Sequence, residues 1–561
     1  MKTEGIDKMK TLRGTILAVA TVAALGVSSA RVALAEETCG AAVRRDVPTV
    51  VNIVNFVRGN EPRYPDIDLV EPLREEIALN TKYHLPNTIL LQYDALLRDD
   101  IVQTAKGAEQ DRTEYGVWLE MCRQLVEKVG IPWRGRPGWD WEWFVNPGLP
   151  IGYSPEERER ICDEVFRLFK ETFGYYPKSV GGWLLDAHTM DYLTRRYGMD
   201  AFCICREQDA TDAYGLRGGY ANGAYYPSRK DALSAAVDME NAIKTPVFRM
   251  LTPDPIYNYG PGWNEHGAIK SPFPEACTLE PGCDMGQRPE IVDWFFRIYT
   301  GPALLGFSYM QTGQENCFGW AGISKGLPYQ MKVIDELAAK GTVKVLTIGE
   351  TGRRFKAKYA ENIPQTLVAL EDWSGNGYKS VWYSSKHYRM NLFFDGKHVY
   401  FRDIHKFCDD HRETYLEKPC AKWNCYYATP PVVDGYQLAK DGESGMANFG
   451  GEFLTFDAES ADDKTLRVTA TRADGSKLVI DFGEDAINMD FGLTSEAAFR
   501  TAALKFRGSG PFFEKLDFPP GKIVMEFEGV TYSVSYEGDL KPSLKGWTLH
   551  PIRGKAQLSF K

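Results

Sequence analysis

Apolar runs with the length and composition of β-strands alternate with helical patterns between residues 48 and 345. Such alternation is typical of a parallel sheet whose strands are joined by helical crossovers. The predicted strands are Thr49–Val57, Asn87–Gln92, Gly130–Trp133, Ser179–Leu185, Ala201–Cys205, Pro246–Leu251 and Leu305–Gln311.

The helices between these strands are marked by apolar residues at helical spacing and by capping residues. One of them begins with Ser154-Pro155-Glu156-Glu157, a capped start with proline in the first turn. Seven or eight β/α repeats favour a barrel over an open sheet, and in such barrels the chemistry lies on the loops after the strands. The predicted helices are Leu69–Lys82, Thr113–Val129, Ser154–Phe173, Thr189–Gly198 and Pro328–Lys340.

The pattern changes near Gln365 to alternation with a period of two residues, with turn signals such as Asp395-Gly396 and Asp474-Gly475. This pattern predicts an antiparallel β-sandwich. The predicted fold class is therefore α/β: a (β/α)7–8 barrel over residues 36–350, followed by an all-β sandwich domain over residues 351–561. Residues 341–362 form the predicted junction, still tied to the last strand of the barrel.

The beginning of the chain has the order of a secretory signal. Lysines precede an apolar stretch, Thr15–Val27, which is followed by Ala33-Leu34-Ala35. We therefore expect a signal peptide over residues 1–35 and a secreted or periplasmic mature protein. The apolar stretch is shorter than the ~20 residues that span a bilayer, and no later segment is long and apolar enough, so we expect no membrane insertion.

Composition narrows the classes of ligand. Aromatic residues make up 13% of the chain, which indicates either a ligand with rings or a large core. The net charge of -10 argues against binding to phosphate backbones, so nucleic acid is not an expected partner. The 11 cysteines permit disulfides in an exported protein, and the odd count leaves at least one thiol unpaired. No cysteine pair has the spacing of a zinc site, and we predict neither a metal nor a cofactor.

Carboxylates, arginines and aromatic residues concentrate at the ends of the predicted barrel strands. Glycosidic bond cleavage needs two carboxyl groups: one donates a proton to the leaving oxygen, and the other stabilises or traps the oxocarbenium-like centre. An alternative interpretation is that several of these acids pair with nearby arginines and brace the loops. The residues predicted to bind a carbohydrate substrate are Arg58, Glu61, Arg63, Asp94, Arg134, Trp139, Asp140, Trp183, His188, Tyr220, Tyr225, Arg249 and Trp320.

Two segments carry a resemblance to a known superfamily. Trp183-Leu184-Leu185-Asp186 resembles the Trp-Leu-Pro-Glu segment of family-57 glycoside hydrolases, and the segment from Gln314 to Trp320 is similar to their acidic segment ending in Phe-Gly-x-Trp. Family 57 belongs to the glycoside hydrolase/deacetylase barrel superfamily, which also includes family-38 mannosidases, whose nucleophile is an aspartate. The barrel sequence also resembles that of exported bacterial proteins of this type. The resemblance implies that Asp186 is the nucleophile and Glu315 the general acid/base of a retaining hydrolase.

The chain also departs from the family pattern. Where family 57 has a His-x-His-Gln-Pro segment on its first strand, this chain has Asn52-Ile53-Val54-Asn55-Phe56, so substrate-binding detail does not transfer. Glu315 is offset by about one residue from the acid of the family, with Gln314 in the aligned place. Asp94 and Glu61 remain alternative acids.

Two other functions stay open. Zinc-dependent polysaccharide deacetylases of the same superfamily need one Asp and two His ligands, and no pair of the 8 histidines has the typical spacing within the barrel. Asp94, Asp186 and His188 could nevertheless meet at one rim. A carbohydrate-binding protein without activity is the other alternative. The arginine-rich loops favour either an acidic sugar, which guanidinium binds bidentately, or neutralisation of the rim's own acids.

Overall fold

The computed structural model describes residues 49–207, 213–221, 223–250, 254–257, 279–301, 305–435, 445–493, 502–508 and 513–561. The predicted signal peptide lies outside these residues. Among the helices of the described residues, none is both long enough and apolar enough to cross a membrane.

Strands between residues 49 and 345 form a nearly closed barrel of parallel strands. Neighbouring parallel strands follow the order β9-β1-β2-β3-β4-β5-β8, with β10 also paired to the beginning of β1. Strand β7 pairs antiparallel with β8, and β6 lies outside the barrel sheet. The strands are β1 (Thr49–Val57), β2 (Asn87–Leu91), β3 (Thr113–Trp118), β4 (Ser179–Gly182), β5 (Ala201–Ile204), β6 (Tyr214–Arg217), β7 (Ala224–Tyr225), β8 (Val247–Arg249), β9 (Tyr309–Thr312) and β10 (Val343–Val345).

Helices connect these strands. The 19-residue helix α6 starts with a capping box, in which Ser154 and Glu157 each accept a hydrogen bond from the other's backbone N–H, as the sequence predicts. The helices are α1 (Val70–Tyr83), α2 (Tyr93–Leu96), α3 (Asp99–Lys106), α4 (Arg123–Lys128), α5 (Val145–Gly148), α6 (Pro155–Phe173), α7 (Ala187–Tyr197), α8 (Pro289–Tyr299), α9 (Gly319–Ile323), α10 (Leu327–Ala339) and α11 (Ile348–Lys358).

The third strand differs from the prediction. The sequence predicts a helix over Thr113–Val129 and a strand over Gly130–Trp133, whereas the chain forms β3 and then the short helix α4. Apolar positions from Tyr115 onward recur at helical spacing, but β3 is hydrogen-bonded on both sides, to β2 and β4. A Cβ atom at Gly116 would lie 2.6 Å from the carbonyl oxygen of Ser179. Pairing with strands distant in sequence outweighs the local pattern here.

From Gln365 onward, the elements of the described residues are all strands, and the predicted fold class is confirmed. One antiparallel sheet has the order β11-β12-β13-β14-β17-β22-β27-β26, with β16 beside β14, and the other has the order β18-β19-β20-β21-β28-β25-β24-β23. The strands are β11 (Gln365–Ala369), β12 (Lys379–Ser384), β13 (Tyr388–Phe394), β14 (Val399–Lys406), β15 (Cys425–Ala428), β16 (Pro431–Asp434), β17 (Ala447–Asn448), β18 (Thr455–Ser460), β19 (Leu466–Thr471), β20 (Lys477–Phe482), β21 (Ala486–Asp490), β22 (Leu504–Arg507), β23 (Lys515–Asp517), β24 (Lys522–Phe527), β25 (Val530–Glu537), β26 (Asp539–Ser543), β27 (Gly546–His550) and β28 (Lys555–Ser559).

Side chains from the two antiparallel sheets meet in one hydrophobic cluster. Phe394 on β13 stacks on Phe456 on β18 with 5.5 Å between ring centroids, and Phe401 on β14 meets Phe482 on β20 edge to face at 6.1 Å. The sequence predicts the boundary between the two domains at residue 350. Helix α11, which packs on the barrel, crosses this position and ends at Lys358.

Residues 411–428 return from the β-region to the barrel, and we call them the covering segment. The backbone N–H of Cys420 donates to Ile151 O at 2.7 Å, and that of Val145 donates to Trp423 O at 2.9 Å. At its end, β15 pairs in parallel with β6. The covering segment therefore lies directly against loops of the barrel.

Candidate functional site

A pocket opens at the carboxyl ends of β1 and β9, where barrel enzymes carry their chemistry. It contains two carboxylates and two aromatic rings. The residues that line it are Val54, Phe56, Trp183, Met250, Glu280, Gln311, Thr312, Gly313, Gln314 and Glu315. Of the predicted site residues, Glu315 and Trp183 lie in this pocket.

Glu315 follows β9 and is held by the first strand. Its backbone forms a parallel bridge with Phe56. The carbonyl oxygen of Gln314 accepts from the backbone N–H of Phe56 at 3.2 Å, and its N–H donates to Asn55 Oδ1 at 3.1 Å. The side chain of Asn316 accepts from the backbone N–H of Arg58 and donates to its carbonyl oxygen, both at 2.9 Å. The position of the Glu315 backbone is therefore set by β1.

Arg58 connects Glu315 to a second acid. Its guanidinium donates to both carboxylate oxygens of Glu120, at 3.0 and 3.2 Å, and to Glu315 Oε2 at 2.5 Å. Burial by itself lowers the pKa of Arg58, but the negative charges of Glu120 and Glu315 outweigh this and raise the pKa well above its usual value. Arg58 is therefore a fixed cation. Its charge opposes the effect of burial on Glu120, whose pKa nevertheless remains above its usual value because the group is buried.

Glu280 is the other carboxylate of the pocket, and it is 9% exposed. Its Oε2 atom lies 3.5 Å from the amide nitrogen of Gln314 and 3.4 Å from the sulfur of Cys283. The other end of the Gln314 amide accepts from the backbone N–H of Gly282 at 2.7 Å. Gln314 therefore holds the Glu280 loop against the end of β9, next to Glu315.

Two rings form the apolar wall of the pocket. Phe56 stacks on Trp118 at 3.9 Å between centroids, and Trp183 meets both rings edge to face at 5.2 Å. Such interlocked rings have little freedom to rotate, so Phe56 and Trp183 present fixed apolar surfaces to a ligand.

Asp94 lies outside the pocket but close to the Arg58 and Glu120 charges. Its Oδ1 atom accepts from the backbone N–H of Gly59 at 3.0 Å, whereas its Oδ2 atom is buried without a hydrogen-bond partner. Burial raises the pKa of Asp94 to about 6. A buried carboxyl with a pKa near 6 therefore lies close to the Arg58 and Glu120 side chains.

Asp186, which the resemblance assigns as nucleophile, does not line the pocket. It is fully buried, and it caps α7 by accepting from the backbone N–H and the hydroxyl of Thr189 at 3.0 and 2.7 Å. Its Oδ1 atom also accepts from Arg158 at 2.9 Å. Both oxygens are therefore engaged in bonds within the fold. This environment is that of a structural carboxylate, and we do not retain Asp186 as the nucleophile in the function proposed below.

Most of the other predicted residues brace the rim. Glu61 pairs with Arg63 through both oxygens, and Arg134 donates to the carbonyl oxygen of Gly152. Several half-buried residues lie near the rim but outside the pocket. They are Trp139, Asp140, which pairs with Arg123 at 3.3 Å, His188, which lies 3.2 Å from Glu159, and Trp320.

Three predicted residues belong to the core. Tyr220 and Tyr225 are fully buried, stack on each other, and donate their hydroxyls to the carbonyl oxygens of Ile363 and Ala232. The guanidinium of Arg249 donates to backbone carbonyls at the ends of β5 and β6. These three side chains therefore pack in the core and do not line the pocket.

Two acids of the site escape the sequence analysis. Glu120 is the second residue after β3, and it is missed because the sequence analysis assigns the third strand to a different segment. Glu280 lies shortly before α8, in a part of the sequence in which no periodic pattern marks the end of a strand. A correct assignment of β3 would have added Glu120, whereas only the folded chain brings Glu280 to the pocket.

A separate buried cluster in the described residues has the composition of a metal site. Ligand-type atoms of Asp403, His405 and Asp434 lie within 4.8 Å of one another. However, Arg389 binds both oxygens of Asp403, and Arg217 binds both oxygens of Asp434. A metal ion would have to displace two buried guanidinium groups, so these residues fit an ion-pair network and do not fit a metal.

No protein-family model matches the chain, and no curated protein matches it. One similar solved structure is a protein described as a glycoside hydrolase/deacetylase from Parabacteroides distasonis, with a TM-score of 0.47 and 17% identity over 70% of this chain and 92% of that one.

Two further structures are less similar. A protein described as a polysaccharide deacetylase from Mycobacterium smegmatis has a TM-score of 0.32 and 12% identity over 58% of this chain and 96% of that one. A family-57 branching enzyme from Thermococcus kodakaraensis, solved with glucose, has a TM-score of 0.27 and 12% identity over 56% and 71%. At TM-scores below 0.5, these likenesses carry no inference about activity.

Proposed function

We propose that this protein is a glycoside hydrolase whose two catalytic carboxyls are Glu315 and Glu280. The observation that carries the proposal is the pocket itself, in which both carboxylates and the rings of Phe56 and Trp183 line one space at the carboxyl ends of the barrel strands. Hydrolysis of a glycosidic bond needs two such carboxyls beside a surface that holds the sugar.

The surroundings of the two carboxyls suggest different roles. Glu315 is bound to the fixed cation Arg58, which stabilises its negative charge. It is therefore suited to attack or stabilise the oxocarbenium-like carbon. The Oε2 atom of Glu280 lies near the amide nitrogen of Gln314 and the sulfur of Cys283, two uncharged groups. We assign Glu280 as the acid, whose proton goes to the leaving oxygen as the C–O bond breaks. This exchanges the role that the resemblance implies for Glu315.

Water completes the reaction. In the retaining route that the sequence suggests, Glu315 forms a bond to the anomeric carbon, and the leaving group departs with the proton from Glu280. The Glu280 carboxylate then takes a proton from water, whose oxygen displaces Glu315. Product anomers observed by NMR immediately after cleavage test this route, because an inverted product would make Glu315 the base that activates water.

The test uses release of reducing ends from a panel of neutral and acidic polysaccharides. Glu315→Gln and Glu280→Gln are expected to reduce turnover by about 10²- to 10⁴-fold. Glu76→Gln is the matched control, because Glu76 is a buried carboxyl on α1 that lies outside the pocket. Equal activity of the two pocket variants and the control would exclude both assignments.

Leaving groups separate the two roles. A good leaving group needs little protonation, so Glu280→Gln should regain activity on aryl glycosides with acidic phenols. Glu315→Gln should not regain activity on these aryl glycosides. The opposite result would restore Glu315 as the acid/base.

A metal-dependent polysaccharide deacetylase is the alternative on this barrel. In the described residues, the ligand set that such an enzyme needs is not assembled at the pocket, and the buried Asp403 cluster is occupied by arginines. Release of acetate from acetylated polysaccharide, abolished by a chelator, would favour this alternative. We also propose that the protein is exported, which fractionation and sequencing of the mature N-terminus would test.

A further inference from the structure

Guanidinium groups and aromatic rings alternate from the pocket toward the surface. Arg58 lies 5.4 Å from the centroid of Phe56 and 4.2 Å from that of Trp141. From there the sequence of contacts continues through Arg63, Trp143, Arg136 and Trp139, with distances of 5.1, 5.6, 4.4 and 3.6 Å between guanidinium carbon and ring centroid. Each ring is thus fixed by at least one cation.

The rings become more exposed along this path. Phe56 and Trp141 are buried, Trp139, Trp143 and Phe144 are half-buried, and Trp423 is 50% exposed. Successive ring centroids from Trp141 through Trp143 and Phe144 to Trp423 lie 6.1, 5.5 and 4.3 Å apart. We call Trp139, Trp143, Phe144 and Trp423 the aromatic track. Contiguous apolar patches at a protein surface mark binding sites more often than isolated apolar residues do.

The arginines beside the aromatic track are already neutralised. Arg63 is bound by both oxygens of Glu61, and Arg136 by both oxygens of Glu142 at 2.6 and 2.8 Å. Arg58 is shared between Glu120 and Glu315. An acidic sugar would have to compete with these carboxylates for the three arginines, and the rings between them offer flat apolar surface. The C–H face of an uncharged sugar ring matches such a surface.

The covering segment supplies the outermost ring. Trp423 is anchored through its carbonyl oxygen, which accepts from the backbone N–H of Val145 beside Phe144. The next residue, Asn146, donates a hydrogen bond from its side-chain amide to the carbonyl oxygen of Cys420, which fixes a second point of the covering segment. The C-terminal half of the chain therefore contributes the outermost ring of the aromatic track.

We propose that the aromatic track binds an uncharged glycan chain that extends outward from the pocket. The inference rests on the proposed function for the identity of the pocket, but it concerns binding outside the reacting bond. It makes the substrate a neutral polysaccharide rather than a uronic acid polymer or a short glycoside. It also gives the covering segment a role in substrate binding.

The test is affinity electrophoresis of the full chain in native gels that contain amylopectin, galactomannan, xyloglucan, β-1,3-glucan or polygalacturonate. The protein carries Glu315→Gln so that no gel is digested, and Glu280→Gln serves as a second parent. We expect retardation in at least one neutral gel and none in polygalacturonate. Trp423→Ala and Trp139→Ala should each raise the dissociation constant about three- to tenfold.

Tyr175→Ala is the matched control, because Tyr175 is 45% exposed and lies just before β4, at the opposite end of the barrel. It should leave retardation unchanged. The proposal is overturned if no neutral gel retards either parent, if polygalacturonate retards it most, or if both tryptophan variants migrate like their parent. The two proposals can fail separately. If retardation depends on the tryptophans but the original protein never releases reducing ends, then the aromatic track binds glycan and the proposed hydrolase function is wrong.

Discussion

Two sides of the barrel mouth contain the same chemical pair, an arginine bound to a carboxylate, in opposite settings. On the β1/β9 side, Arg58 binds Glu315, which lines a pocket. On the β4 side, Arg158 binds Asp186, which is fully buried. The composition of the two sides is alike, and only one of them gives a ligand access to its carboxylate.

The covering segment makes this difference. The carboxylate of Glu413 accepts from the backbone N–H of Ala187, directly after Asp186, and from that of Ala232. Arg158 also donates to the carbonyl oxygen of Tyr415 at 2.8 Å. The same pair of residue types thus becomes part of the core on one side and part of a binding surface on the other. An acid at the end of a barrel strand can meet a ligand only where no later segment covers it.

The largest expected effect separates the two carboxylates by activity. Glu315→Gln should lower turnover by about 10²- to 10⁴-fold, whereas the folded fraction of Asp186→Asn should keep turnover within a few-fold of the original protein. Asn is chosen because its side-chain oxygen still accepts from Thr189 and caps α7. Turnover per folded molecule, with folding measured by near-UV circular dichroism, makes the comparison. A folded but inactive Asp186→Asn would return Asp186 to the reaction.

The second effect separates them by stability. Asp186→Ala removes the helix cap and leaves Arg158 buried without its charge partner, which should cost about 3 to 5 kcal/mol of unfolding free energy. Glu315→Gln should cost less, because Arg58 keeps both bonds to Glu120. Chemical denaturation of both variants measures the difference. Equal losses would mean that the two pairs serve the fold alike.

The pH dependence of stability tests Asp94, which is buried like Asp186 but has no arginine bound to it. Burial raises its pKa in the folded protein to about 6, from 3.8 in the unfolded chain. As the pH rises from about 4 to about 6, the unfolded chain loses this proton first, so stability falls over that window and stays lower above it. The contribution is roughly 3 kcal/mol.

Asp94→Asn removes this titration. The difference in unfolding free energy between the original protein and the variant should therefore change between pH 4 and pH 6 and be constant above pH 7. Denaturant titrations at several pH values give the curve. A difference that does not change with pH would show that Asp94 ionises in the folded protein as it does in the unfolded chain.

The smallest effect provides a reference for a cap without a buried ion pair. Ser154 caps α6, the helix that carries Arg158, and Ser154→Ala should cost about 1 kcal/mol. Activity should be unchanged, because Ser154 lies outside the pocket. If Asp186→Ala costs no more than Ser154→Ala, then the pair with Arg158 adds nothing to the cap.

Local patterns carried most of the fold. The bounds of β1 are those predicted, and β2, β4, β5, β8 and β9 lie within or next to predicted strands. The change to alternation with a period of two marks the all-β region. The failure at β3 is physical, since helical spacing of apolar residues competed with pairing to β2 and β4, which only the assembled sheet provides.

The sequence by itself determined that acids, arginines and aromatic rings gather at one end of a barrel, because parallel strands all end at the same rim. Only the tertiary structure decided which acids a ligand can reach. Asp186 is covered by Glu413, which lies more than 200 residues further along the chain, and Glu280 is brought beside Glu315 by Gln314. Burial depends on contacts between distant segments, and no local pattern of residues records those contacts.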